Sequence, residues 1–88
     1  MKFSYTYILF SKKDKKFYTG WTTDLRRRLL KHQNGLVFST KNRLPIILIY
    51  YEACLNNEDA KARERYLKSG MGKRFLKNRI KNFLSRGL

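Results

Sequence analysis

The sequence holds one cysteine, Cys54, and one histidine, His32, among 88 residues. A lone cysteine excludes an intramolecular disulfide, and one cysteine with one histidine excludes the usual structural zinc sites. Cys54 follows Tyr50-Tyr51-Glu52-Ala53 in an apolar stretch, so a buried reduced thiol is expected rather than a nucleophile. No apolar run approaches the ~20 residues of a membrane span, and the N-terminus lacks a signal-peptide core; a cytoplasmic protein without a membrane segment is the expectation. Acidic residues are scarce, 6 against 21 lysines and arginines, for a net charge of +15. Self-repulsion on that scale weakens a compact state, which implies a polyanionic partner, nucleic acid before an anionic membrane surface. With 42% hydrophobic residues the chain can build one core, and residues 1–88 read as a single domain.

What is present reads as a small α+β unit. Phe3 to Phe10 alternates, with Phe3, Tyr5, Tyr7 and Leu9 on one side, as a strand does. The polar run 11–16 makes a turn, and Phe17 to Gly20 returns as the second strand of a hairpin. Thr22 or Thr23 can cap a helix that carries Asp24 in its first turn and stops at Asn34-Gly35. Residues 36–43 form a basic loop, and Pro45 precedes Ile46 to Tyr51, whose continuous apolar run suits a central strand covered on both faces. Asn56 opens a second helix with Glu58 and Asp59 in its first turn, and Ser69-Gly70 ends it. A last helix over 72–84 aligns Leu76, Ile80, Phe83 and Leu84. The order ββαβαα predicts a small, mostly antiparallel three-stranded sheet flanked by helices.

Most acidic residues have a local task in a turn, at a strand end or at a helix N-terminus. Glu64 has none. It shares a helix face with Ala60 and Leu67, where a carboxylate needs a cation. Alternatively it forms an exposed pair with Lys68 at i, i+4, worth only ~0.3–0.5 kcal/mol, with Ala62 and Tyr66 as the buried stripe. On the first helix Arg28 and His32 border the face of Leu25 and Leu29. A guanidinium there can hold a phosphate through its fork of donors, or simply snorkel from an ordinary amphipathic helix. Tyr5, Tyr7 and Tyr18 cluster on the hairpin, as core rings or as site residues. Gly20 lacks a side chain where a ligand's backbone could approach.

Together, Tyr5-Thr6-Tyr7, a turn, Tyr18-Thr19-Gly20 and then Thr23-Asp24-Leu25-Arg26-Arg27-Arg28-Leu29 resemble the opening of the GIY-YIG nuclease domain. The resemblance covers the whole chain, as a standalone domain. It implies catalytic roles for Tyr7, Tyr18, Arg28, His32 and Glu64. Arg28 would contact the scissile phosphate, and Glu64 would ligate one divalent ion, Mg2+ or Mn2+. It also implies an asparagine near the site, for which Asn78 is the candidate. The first motif is Tyr-Thr-Tyr rather than Gly-Ile-Tyr, and Trp21 stands where repair relatives carry lysine.

The implied reaction is in-line hydrolysis of a phosphodiester in DNA, with RNA a possible substrate, leaving 5′-phosphate and 3′-hydroxyl ends. Tyr7 is the expected general base, its pKa of ~10 lowered by nearby cations and the bound metal, so that the rate climbs with pH above neutrality. Backbone contacts are expected from Gly20, from Lys41 and Arg43 in the loop, and from Lys73, Arg74 and Lys77 on the last helix. No base-reading element is evident, which points to selection by structure rather than by sequence. The alternatives are a non-catalytic nucleic-acid binding module on the same fold and, further off, a membrane-surface helix.

Overall fold

Alternating aromatic and branched residues make β1 (Ser4–Ser11), and a serine- and aspartate-held turn leads it back into β2 (Phe17–Thr22). Ser11 Oγ accepts hydrogen bonds from the Lys13 and Asp14 amides, and Asp14 Oδ1 accepts from the Lys16 amide. The two strands pair antiparallel, Tyr7 opposite Gly20 and Leu9 opposite Tyr18. The computed structural model describes residues 1–86. Its other elements are α1 (Leu25–Gln33), β3 (Ile46–Cys54), α2 (Asn57–Lys68), α3 (Gly70–Arg79) and α4 (Lys81–Ser85). The α+β class and the order ββαβαα hold, with the last helical stretch broken at Ile80 into α3 and α4.

The strand order is β2-β1-β3, all antiparallel, so the central strand is β1 and not the apolar β3. Two neighbours cover β1: Tyr7, Ile8, Leu9 and Phe10 are all 3% exposed or less. β3 lies at an edge, where Ile47, Leu48 and Ile49 are only half-buried. Its pairing with β1 shifts between Ile8 and Leu9, Tyr50 standing opposite Ile8 and Leu48 opposite Leu9. Each sheet face carries its own core. Tyr7, Leu9 and Ile46 pack with Tyr18, Leu25, Leu29 and Leu48 on the α1 face. Ile8, Leu67 and Leu76 pack with Phe17, Ile49, Tyr66 and Phe75 on the α2 and α3 face.

The caps explain where the helices sit. Asp24, rather than a threonine, is the N-cap of α1, accepting from the Arg27 amide, while Thr22 Oγ1 receives the Asp24 amide. Asn56 caps α2 through the Glu58 and Asp59 amides. Thr6 Oγ1 donates to the Ala60 carbonyl at 2.9 Å, and Ser4 donates to Asn57, which fixes α2 on the central strand. Ser69 closes α2 and caps α3 through the Gly72 amide. A Cβ at Gly72 would lie 1.8 Å from the Tyr66 carbonyl oxygen, so only glycine permits this tight helix-to-helix turn. Phe83, on the expected stripe, is 40% exposed because the break at Ile80 turns α4 away. Cys54 is half-buried rather than fully buried.

Candidate active site

Tyr7 projects from the middle of the sheet and is 1% exposed. Its ring lies against its cross-strand partner Gly20, where a Cβ would come within 2.5 Å of the phenol oxygen. This corrects the expectation for Gly20: the glycine is buried, and the room it leaves is filled by Tyr7 rather than by a ligand. The Tyr7 hydroxyl meets His32 Nε2 at 2.9 Å, and His32 Nδ1 meets Thr40 Oγ1 at 2.7 Å. His32 and Thr40 are both completely buried. Tyr18 completes the group, its ring 5.2 Å from the imidazole and 6.5 Å from the Tyr7 ring.

The electrostatics follow from this burial. Desolvation, aided by the Arg28 charge, lowers the His32 pKa to about 4, so the imidazole is neutral at pH 7. One ring nitrogen then carries a hydrogen and the other accepts. Burial also pushes the Tyr7 phenol up; Tyr18 and Glu64 act in the same direction, against the pull of Arg28. Protein groups alone therefore do not lower this pKa, because desolvation of the phenolate outweighs the guanidinium.

Arg28 extends from the adjoining turn of α1, and Tyr7 first, then Tyr18, hold its guanidinium in the charged form. Its Nε is buried without a hydrogen-bond partner. Such an orphaned donor is costly unless a ligand completes it. The side chain opens onto a cleft of about 280 Å³ that Arg27 and Lys31 also line. Glu64 comes from α2 on the face of the fully buried Ala60, and its side chain is 21% exposed. The pair with Lys68 does form, at 3.5 Å, but the Lys68 side chain is 55% exposed. The Glu64 charge is also close enough to act on Tyr7. The helix-face reading therefore holds, with Ala60 and Leu67 the buried residues of α2 and Ala62 exposed, and of the alternative only the Lys68 contact itself forms.

The donor set admits one kind of metal. Among the described residues no three His, Cys, Asp or Glu side chains cluster. A single half-buried carboxylate suits a hard divalent ion that keeps most of its water and borrows phosphate oxygens, as Mg2+ does. It does not suit a caged or structural metal.

The basic residues divide. Arg43 is not a free phosphate anchor: its Nε lies 2.6 Å from Asp14 Oδ2, and its Nη2 reaches the Lys16 and Phe17 carbonyls. It braces the loop to the hairpin turn and lowers the Asp14 pKa to about 2. Lys41 is exposed, its ammonium 4.9 Å from the Phe38 ring. Lys73, Arg74, Lys77 and Asn78 are exposed on α3. Lys61, from α2, stands 5.1 Å from the Trp21 ring centroid. Two features have no plain signal in the sequence. Arg63 grips Glu52 through two hydrogen bonds of 2.9 and 2.7 Å and stacks on Tyr66 and Phe75. Thr40, which reads as part of a basic loop, is the buried partner of the only histidine. Its one signal is a small hydroxyl among cations.

Comparison with known proteins bears on the same residues. The GIY-YIG catalytic domain family matches residues 3–83. The UPF0213 protein CPE1444 of Clostridium perfringens is 42% identical over 66 residues, covering 74% of this chain and 70% of that one. The UPF0213 protein SpyM50708 of Streptococcus pyogenes serotype M5 is 43% identical over 68 residues, covering 76% and 73%. The solution NMR structure of the UPF0213 protein BH0048 from Bacillus halodurans superposes with a TM-score of 0.51 at 38% identity, covering 84% of this chain and 81% of that chain. Among the described residues no helix is long and apolar enough to cross a membrane. The family domain thus takes in the hairpin and α1 that build the ring cluster and the α2 that carries Glu64, and the chain belongs to the GIY-YIG catalytic-domain family, whose members are generally endonucleases.

Proposed function

We propose that this chain is a metal-dependent endonuclease that hydrolyses phosphodiester bonds in nucleic acid, DNA first, and selects by structure rather than by sequence. The observation that carries this reading is the buried line Tyr7–His32–Thr40 beside the orphaned donor of Arg28. Arg28 binds the scissile phosphate, an oxygen of which accepts from the otherwise unpartnered Nε, and stabilises the charge that builds on the phosphorus oxygens. Tyr7 takes a proton from the attacking water while passing its own to His32 Nε2, and the Nδ1 hydrogen of His32 is held by Thr40 Oγ1. Such a relay needs no free phenolate, which fits a Tyr7 pKa raised by burial, and it requires the bound phosphate's negative charge to raise the basicity of His32 above its resting value of about 4. The new oxygen–phosphorus bond forms as the bond to the 3′ oxygen breaks, leaving a 5′-phosphate and a 3′-hydroxyl. Tyr18 flanks Tyr7 and orients water or phosphate. Glu64 would hold one Mg2+ or Mn2+, which when bound stabilises the departing oxygen.

The test is cleavage of branched and single-stranded DNA with and without Mg2+, comparing the native chain with Glu64→Ala. Metal-dependent cutting by the native chain, lost in the variant with binding retained, is the expected result. A folded native chain that binds DNA and RNA yet cuts neither would overturn the enzyme reading in favour of a binding module.

A further inference from the structure

On the sheet face opposite α1, a cleft of about 490 Å³ runs along the seam of β2 with α2 and α3. Its floor is apolar, made by Phe17, Leu67 and Leu76, and its rim carries five lysines, Lys15, Lys16, Lys68, Lys73 and Lys77, with no acidic side chain in the lining. Lys15, Lys16, Lys73 and Lys77 make no ion pair among the described residues. The hairpin turn supplies two of these cations and the helices the other three, so no single solvated helix face accounts for them. Gathering like charges around an apolar hollow is unfavourable unless an anion with an apolar part fills it.

The cleft borders the candidate active site across the edge strand β2 and through Glu64. The Tyr18 ring packs with Tyr7 on the α1 face while its strand neighbours Phe17 and Thr19 line the cleft, and Lys68 on the cleft rim is the partner of Glu64. We propose that the cleft takes one unstacked nucleotide of a single-stranded stretch next to the scissile phosphate, its base on the apolar floor and its phosphates on the lysine rim. This rests on the nuclease reading and names the substrate feature it selects. A base stacked within a duplex has no face to offer Phe17 and Leu76, whereas a splayed base does. The volume lies within the range of about 300–1,000 Å³ that suits a group of this size. Selection by structure then has a physical source: substrates with an unpaired nucleotide beside the cut fill the cleft, and continuous duplex does not.

The test is fluorescence anisotropy in EDTA, where cleavage plays no part. The full chain is titrated with a short oligothymidylate, with an abasic backbone of equal length and charge, and with dodecyl phosphate as competitor. The oligothymidylate is expected to bind roughly tenfold more tightly than the abasic backbone. Thr19→Trp, which places a large ring in the cleft, erases that difference. Lys73→Ser with Lys77→Ser lowers the salt slope by about 1.4, roughly 0.7 for each phosphate no longer neutralised. Arg65→Ser with Lys81→Ser, two exposed positions outside the cleft, leaves the slope nearly unchanged. Equal binding of the abasic backbone, equal slope changes in the two double variants, or binding of dodecyl phosphate without the oligonucleotide would overturn the proposal. Absent base preference with cleavage intact defeats this inference alone, and absent cleavage with base preference intact defeats the enzyme reading alone.

Discussion

The two faces of the sheet are built to different rules. On the α2 and α3 face, Ile8, Leu67 and Leu76 pack as an ordinary apolar core, and the buried polar groups are tethers such as Thr6 to the Ala60 carbonyl. On the α1 face the core includes a phenol, an imidazole and a hydroxyl linked in line, with a guanidinium nitrogen left without a partner. Buried polar networks stabilise only when complete, and each unmatched donor costs about 1–3 kcal/mol. The apolar face therefore supplies stability, and the α1 face gives some of it up for reactive groups.

The sharpest challenge to this contrast is a pair of substitutions, one per face. Tyr7→Phe keeps the ring and should lower single-turnover cleavage about 10²–10⁴-fold, while costing about 1–3 kcal/mol of stability for the unpaired His32 Nε2. Leu67→Ala should lose about 2–5 kcal/mol of stability while its folded fraction still cuts within a few-fold of the native rate. Equal rate losses in the two variants would erase the distinction.

Acid separates the faces further. His32 titrates near 4 when folded against an ordinary 6.5, so below pH 6.5 the unfolded chain binds the extra proton. The stability that His32 confers is complete above pH 6.5 and is lost as pH falls towards 4, by about 3 kcal/mol. Urea unfolding of His32→Gln should lack that loss across the same window, although the variant starts less stable. A parallel pH dependence in the two proteins would show that His32 is not held neutral.

The smallest effect belongs to Thr40. Thr40→Val removes the partner of Nδ1 and should slow cleavage about tenfold, and Thr40→Ser should restore it. Failure of serine to rescue would make the contact one of packing only.

Local chemistry was readable in the sequence. The hairpin, the Asn56 cap, the stop near Gly35 and the helix face shared by Ala60, Glu64 and Leu67 depend on neighbours a few residues apart. What escaped depends on distant partners. β3 is the more apolar strand, yet β1 is central because strand order is fixed by pairing and not by hydrophobicity. Arg43 is absorbed by Asp14 across 29 positions, and Gly20 serves Tyr7 across the hairpin. Thr40 sits in a loop that composition marks as solvent-facing, and only the fold places it on His32.

In the proposed mechanism Glu64 on α2 and the Tyr7 network on the α1 face act on one phosphate in one step. Single-turnover cleavage by Tyr7→Phe, Glu64→Ala and the combined variant tests this, because groups that work as a unit are non-additive. The combined variant should cut about as slowly as the slower single one. Losses that multiply in full would mean that the two faces act independently, and the shared site would be wrong.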